Sequence, residues 1–176
     1  MRRAVFLDRD GVINRALVRD GKPYPPANLA EMEILPGVLE ALVALHDAGF
    51  MLIVVTNQPD VARGTIPMGV VEEINNHLAM RLPIDEFRTC YHDSGDGCDC
   101  RKPLPGALLA AAMQHEIDLS KSSMVGDRWR DTEAGQGAGC KTFFIDYGYA
   151  EKQPESFDYR VRSLGEAARI ILGEMT

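Results

Sequence analysis

Several things this 176-residue sequence lacks narrow its function before anything it contains. No apolar run approaches the roughly 18 residues that a membrane-spanning helix needs. The opening MRRAVFLDRDG turns acidic after only four apolar residues, so it does not read as a secretory leader. A cytoplasmic protein with no membrane attachment is therefore expected. Basic charge is also short: 19 Lys and Arg stand against 26 Asp and Glu, a formal net charge of -7. Nucleic acid is not expected as a partner, because the chain carries no positive footprint for it. Repeats and low-complexity tracts are absent. Cysteine is scarce too, four in all, yet Cys90, Cys98 and Cys100 crowd together with His92 in CYHDSGDGCDC. In a reducing cytoplasm such a cluster reads as metal ligands rather than disulfides.

The composition present, 45% hydrophobic and 26% charged, is that of a globular protein. The length allows one sizeable core and is too short for two ordinary domains, so a single domain over residues 1–176 is expected. Short apolar runs alternate with helical periodicity, the pattern of a parallel α/β sheet flanked by helices. Residues 4–8, 51–57, 87–91, 122–127 and 141–146 read as strands, mostly too continuous in apolar character to be half-exposed. Helices are expected over 36–50, which starts near Pro36 and meets Gly49 at its end, and over 66–81, 104–116, 130–138 and 163–173. The proline-rich stretch 14–35 has no periodicity and reads as a long loop over one end of the sheet.

Ligands of parallel α/β sheets bind beyond the carboxyl ends of the strands. Those ends are polar here: Asp8 and Asp10 after the first strand, Thr56, Asn57 and Gln58 after the second, Arg101 and Lys102 after the third and the cysteine cluster, Asp127 and Asp131 after the fourth. If the strands are parallel, these groups meet on one edge. That many carboxylates repel one another unless a divalent cation lies among them, and magnesium suits an all-oxygen site. A lysine and a threonine hydroxyl beside a magnesium-carboxylate cluster are what a phosphoryl group requires, so phosphoryl transfer is the leading chemistry. The cysteine cluster is a separate matter. Three thiolates and one imidazole fill a tetrahedral zinc ion and leave no position for water or substrate, which argues for a structural metal. Soft sulfur ligands also exclude magnesium there.

FLDRDGVIN, VVTN, RKP and MVGDRWRD resemble, in order, the nucleophile, threonine, lysine and acidic motifs of the haloacid dehalogenase-like phosphatase superfamily. DRDGVIN, VVTNQPDVARG, CDCRKPLPG and MVGDRWRD are similar to its small, capless, zinc-containing branch, which holds heptose-bisphosphate and histidinol-phosphate phosphatases. The resemblance spans the chain to about residue 150 and implies a Rossmann-like, capless fold. It implies that Asp8 is the nucleophile and Asp10 the acid and base. It further implies magnesium on Asp8, Asp127 and the Asp10 carbonyl, and zinc on Cys90, His92, Cys98 and Cys100. Thr56 and Asn57 would then hold the phosphoryl group, Lys102 would neutralise it with Asp131 orienting the lysine, and Gln58, Arg63, Arg101 and Arg128 would meet the rest of the substrate. The implied reaction is hydrolysis of a sugar phosphate, foremost heptose 1,7-bisphosphate at its 7-position. Five residues separate His92 from Cys98, as in the short histidinol-phosphatase loop, so histidinol phosphate or another small phosphate monoester is the alternative.

Blander roles compete for some positions. His46, His77 and His115 sit in helical segments without partner spacing and read as ordinary residues, and Cys140 reads as a small buried one. Trp129, Tyr147 and Tyr149 fit either lining the site or packing. A non-enzymatic zinc-loop interaction protein would have no use for Asp8, Asp10, Thr56, Lys102 and Asp127 at strand ends. A phosphotransferase would want a cap to shield its intermediate from water, and only 14–35 and the cysteine loop are free to shape a pocket. The expected partner is thus a small phosphorylated metabolite, and a monomer suffices.

Overall fold

A computed structural model describes residues 1–174. Its strands are β1 (Arg3–Leu7), β2 (Leu17–Arg19), β3 (Lys22–Tyr24), β4 (Phe50–Asn57), β5 (Glu86–Cys90), β6 (Ser123–Gly126), β7 (Lys141–Ile145) and β8 (Tyr159–Val161). The helices are α1 (Val38–Asp47), α2 (Met68–Arg81), α3 (Gly106–His115), α4 (Trp129–Ala138) and α5 (Leu164–Ile171). Every strand and helix expected from the sequence is present within a few residues. Among the described residues no helix is long and apolar enough to cross a membrane.

Six strands form one parallel sheet in the order β5-β4-β1-β6-β7-β8. Period-2 alternation sends Val5 and Leu7 of β1 to one face and Ala4 and Phe6 to the other, and both faces are covered. Helices α1, α2 and α5 cover the first face with Leu42, Leu45, Ile74, Leu78 and Ala167; α3 and α4 cover the second with Leu108, Ala111 and Ala134. Each fully buried aliphatic or aromatic side chain contributes about 1.5–3 kcal/mol to holding the layers together.

Chain order places the site. From central β1 the chain moves outward through β4 to β5, then returns to the other side of β1 as β6. The crevice where the order reverses lies beyond the carboxyl ends of β1 and β6, where parallel sheets take their ligands. The register pairs Leu7 with Val54 and with Val125, and Asn57 with Cys90, so Asp8, Asn57, Cys90 and Asp127 all leave the sheet at one edge.

Two elements depart from the sequence reading. Part of the expected loop 14–35 is a hairpin, β2 paired antiparallel with β3 around Asp20 and Gly21. Both turn residues have positive φ, 50° and 73°, as a two-residue loop that matches strand twist requires. The sixth strand, β8, lies in a segment without a strand-like pattern. It has three residues and pairs only with β7.

Candidate active site

Asp8 prolongs β1, its N–H donating to Val125 O at 3.0 Å. Lys102 arrives from the segment after the cysteine loop and is buried beside it. Its ammonium donates to Asp8 Oδ1 at 2.8 Å, to Asp131 Oδ1 at 2.7 Å and to Val55 O at 2.6 Å, so all three protons are used. Burial alone would lower this lysine's pKa, but Asp131 and Asp8 outweigh it and hold the ammonium well above its ordinary range. Asp131 sits in the first turn of α4, where Oδ2 accepts from Arg128 N at 3.0 Å and caps the helix. Both its oxygens are thereby engaged, one by the cap and one by the lysine.

Asp127 follows β6 and is buried. Tyr149 O–H donates to its Oδ2 at 2.7 Å, whereas Oδ1 is buried with no hydrogen-bond partner. An orphaned buried carboxylate oxygen is costly unless a cation meets it. Burial, and after it Asp131, pushes the Asp8 carboxyl up to about 6 against the pull of Lys102. Burial and Asp8 likewise raise Asp127 well above the ordinary carboxylate range. Without a cation the cluster would take up protons; a divalent ion would take their place. Asp8, Asp127 and Asp131 can bring one oxygen each within 4.8 Å of one another, and since Asp131 is committed, Asp8 and Asp127 are the carboxylates that fit magnesium.

Gly11 makes room for this. It has φ +89°, and a Cβ there would lie 2.0 Å from Asp127 Oδ2. Gly11→Ala is expected to cost roughly 2–4 kcal/mol in a denaturant titration, through backbone strain and overpacking, and to weaken magnesium binding. Unchanged stability and metal affinity would count against this crowding.

Asp10 is held on both oxygens. Asn14 Nδ2 donates to Oδ1 at 3.0 Å, Gln58 Nε2 to Oδ2 at 2.8 Å, and the Arg9 guanidinium to Oδ1 through Nε and Nη2, each at 3.1 Å. Gln58, expected to touch substrate, is instead buried and shares its amide between Asp10 and Thr56 Oγ1. Asn57 lines the cleft, and its amide makes two bonds to the Lys102 backbone, Nδ2 to O at 2.9 Å and Oδ1 from N at 3.1 Å.

Above this floor lies a cleft of about 240 Å³, walled on one side by Lys22, Pro23 and Tyr24 of the hairpin. Arg63, Arg101, Arg128 and Arg130 also line it. Arg63 forks onto Asp93 at 2.7 Å through both Nε and Nη2, and Arg128 onto Glu151, so the two most nearly saturated arginines are Arg63 and Arg128. Arg101 makes one long bond, 3.3 Å, to His92 O; Arg130 stacks 4.5 Å over Trp129 and has no ion pair among the described residues. Arg130 escapes a sequence reading because it is one residue past a helix start. Tyr149, which the sequence left between lining the site and packing, reaches Asp127 across 22 residues.

The cysteine loop closes as expected. One donor atom each from Cys90, His92, Cys98 and Cys100 lies within 4.8 Å of the others. Cys90 sulfur lies 3.7 Å from that of Cys98 and 2.9 Å from that of Cys100; the first is near the roughly 3.8 Å edge of a tetrahedron with Zn–S of about 2.3 Å, and the second would have to open for an ion to enter. Burial and the neighbouring thiols push Cys100 up to about 12, so a soft dication would have to displace protons to bind. Three bonds tie the loop to the end of β4: Cys90 O accepts from Gln58 N at 2.8 Å, and the Lys102 backbone makes two bonds with the Asn57 amide; Arg101 closes the loop on itself by donating to His92 O.

Residues 99–167 match the HAD-hydrolase-like family model. The chain is 34% identical to the D-glycero-beta-D-manno-heptose-1,7-bisphosphate 7-phosphatase of Pasteurella multocida, over 98% of each chain. It belongs to the haloacid dehalogenase-like phosphatases. The relative of the same name from Bordetella bronchiseptica is 33% identical, over 84% of this chain and 83% of that one. Among solved structures, the D,D-heptose 1,7-bisphosphate phosphatase of B. bronchiseptica, complexed with magnesium and phosphate, aligns with a TM-score of 0.83 at 31% identity, covering 98% of this chain and 99% of that one. The haloacid dehalogenase-like fold read from the four motifs is thus the fold found.

Proposed function

We propose that the chain hydrolyses D-glycero-D-manno-heptose 1,7-bisphosphate at the 7-position through an aspartyl-phosphate on Asp8. One observation carries this: a buried carboxylate and lysine floor opens into a cleft whose mouth holds Arg101 and Arg130, two guanidiniums without acidic partners among the described residues. The floor suits the reacting phosphate, and the mouth offers forks to a second one. Relatives that bear this enzyme's name over most of their length support the same substrate.

Magnesium, bound by Asp8 and Asp127 with the Asp10 carbonyl, would neutralise phosphoryl oxygens and let these carboxylates lie together. The chain's own residues do the rest. Lys102 holds Asp8 Oδ1, which fixes the rotamer from which Asp8 attacks phosphorus as the bond to the sugar oxygen breaks. Asp10 gives its proton to the departing oxygen. It regains one from the water whose oxygen then displaces Asp8 from phosphorus, so the cycle closes with no net proton on the enzyme. Asn57, at the end of β4, lines the cleft with its amide bonded to the Lys102 backbone, whereas Thr56, expected to hold the phosphoryl group, is buried with its hydroxyl accepting from Gln58 Nε2 at 2.9 Å. Zinc on Cys90, His92, Cys98 and Cys100 would hold the loop that carries Arg101 and Lys102.

A phosphate-release panel of α- and β-heptose 1,7-bisphosphate, histidinol phosphate and simple sugar phosphates tests the substrate. A heptose bisphosphate is expected to lead in kcat/KM by at least about tenfold, since a site built for two phosphates leaves charges unmatched by one. Preference for histidinol phosphate would overturn this reading.

A further inference from the structure

Between the two site aspartates stands Arg9, whose guanidinium is completely buried. Long charged side chains are almost never buried unless paired, and Arg9 has a single acidic partner among the described residues. Nε and Nη2 each reach Asp10 Oδ1 at 3.1 Å, while Nη1 donates to Asn75 Oδ1 at 2.9 Å. Asn75 lies on the buried face of α2 and passes the contact on, its Nδ2 donating to Thr89 Oγ1 of β5 at 3.1 Å. The Arg9 carbonyl is fixed as well, accepting from Val12, Ile13 and Asn14 N–H groups at 3.3, 2.8 and 3.2 Å.

Asp10 belongs to no strand or helix; it enters the turn at residues 11–13, bridged across it to Asn14. A side chain on a turn wanders more than one on a rigid element, and a displacement of about 1 Å from reacting geometry can cost on the order of 100-fold in rate. Asn14 and Gln58 each hold one oxygen of this carboxylate, and the guanidinium adds the tether that runs to α2 and β5. Its planar fork grips Oδ1 with two N–H groups, while Nη2 lies 3.4 Å from Oδ2, a directional hold that a lysine's point charge does not give. An ion pair serving only stability would gain nothing from adjoining the catalytic pair, because buried pairs are commonly replaceable by apolar residues without loss.

We propose that Arg9, braced by Asn75, is a positioning residue that holds Asp10 in the orientation for proton transfer. This rests on the phosphatase reading above, and the two are separable by experiment. In Arg9→Lys the charge stays but the fork is lost; in Asn75→Ala the fork stays but its brace is lost. With heptose 1,7-bisphosphate as substrate, kcat is expected to fall by about 100-fold in Arg9→Lys and about tenfold in Asn75→Ala. KM, and the affinity for inorganic phosphate with magnesium measured by calorimetry, should remain within about threefold of the parent, because phosphate binding needs Asp8, Asp127 and Lys102 but no proton on Asp10. Parent-level kcat in both variants would overturn the proposal. So would a parallel loss of kcat and phosphate affinity, the mark of a general structural disturbance. Should Arg9→Lys fail to fold, Asn75→Ala decides by the same criteria. A parent chain that leaves the heptose ester intact counts against the substrate reading alone, and the comparison is then made on the panel ester that it does cleave.

Discussion

Asp8→Asn is expected to lower magnesium-dependent phosphate release by at least about 1000-fold. The amide cannot attack phosphorus, yet it matches the carboxylate in shape and its oxygen can still accept from the Lys102 ammonium at the position of Oδ1. Folding should therefore survive. The thermal transition is expected to stay or to rise in metal-free protein, because the substitution removes one of three buried carboxylates whose mutual repulsion and burial already push Asp8 up to about 6. The sign follows from linkage: a carboxyl raised above its unfolded value is a stability cost where it is ionised, so deleting that charge relieves a cost near neutrality. Magnesium affinity is expected to move the other way, since one of the two carboxylates proposed to hold it becomes an amide. Phosphate release near the parent rate would exclude Asp8 as nucleophile. Lost release with lost folding would separate from it by circular dichroism.

The residues whose roles such experiments probe differ in how far the sequence reveals them. Asp8, Asp127 and Lys102 are legible because each follows an apolar run or a metal-like cluster, and because parallel strands of similar length must end at one edge. β1, β4, β6 and β7 are legible because they are buried on both faces and so mostly apolar, whereas half-buried β5, with Glu86, Arg88 and Thr89, carries a weaker pattern. β8 is not, since three edge residues between polar flanks carry no pattern. The hairpin did have a signal, Asp20-Gly21, masked by Pro23 within its second strand and by Pro25 and Pro26 beyond it. The Arg9 network had none: Arg9 meets Asn75 across 66 residues and Asn75 meets Thr89 from a different element. Gln58 and Asn57 show a further limit. Strand-end position puts them at the site, but only the surrounding donors and acceptors decide that Gln58 serves Asp10 and that Asn57 serves the Lys102 backbone.

That last contact makes the cysteine loop the place of the second large effect. Cys100→Ser is expected to remove a tightly held zinc, about one per chain in the parent by metal analysis, and to lower phosphate release by about 10–100-fold. A serine hydroxyl is a poor ligand for so soft a site, and the remaining cluster of Cys90, His92 and Cys98 loses closure. The consequence reaches the chemistry because Lys102 stands two residues beyond Cys100. Its ammonium must arrive within 2.8 Å of Asp8 and 2.7 Å of Asp131 from a segment that has turn but no helix or strand to steady it. Arg101, bonded to His92 O, is released by the same change, so KM should rise along with the fall in kcat, unlike the pattern expected for Arg9→Lys. Treating the parent with EDTA separates the two metals. Magnesium in an all-oxygen site is expected to leave and to return with added Mg²⁺, and zinc under three thiolates to stay. Full activity in a Cys100→Ser chain shown to hold no zinc would mean that the sheet alone positions Lys102, through Asn57 at the end of β4, and that the loop metal does not support catalysis.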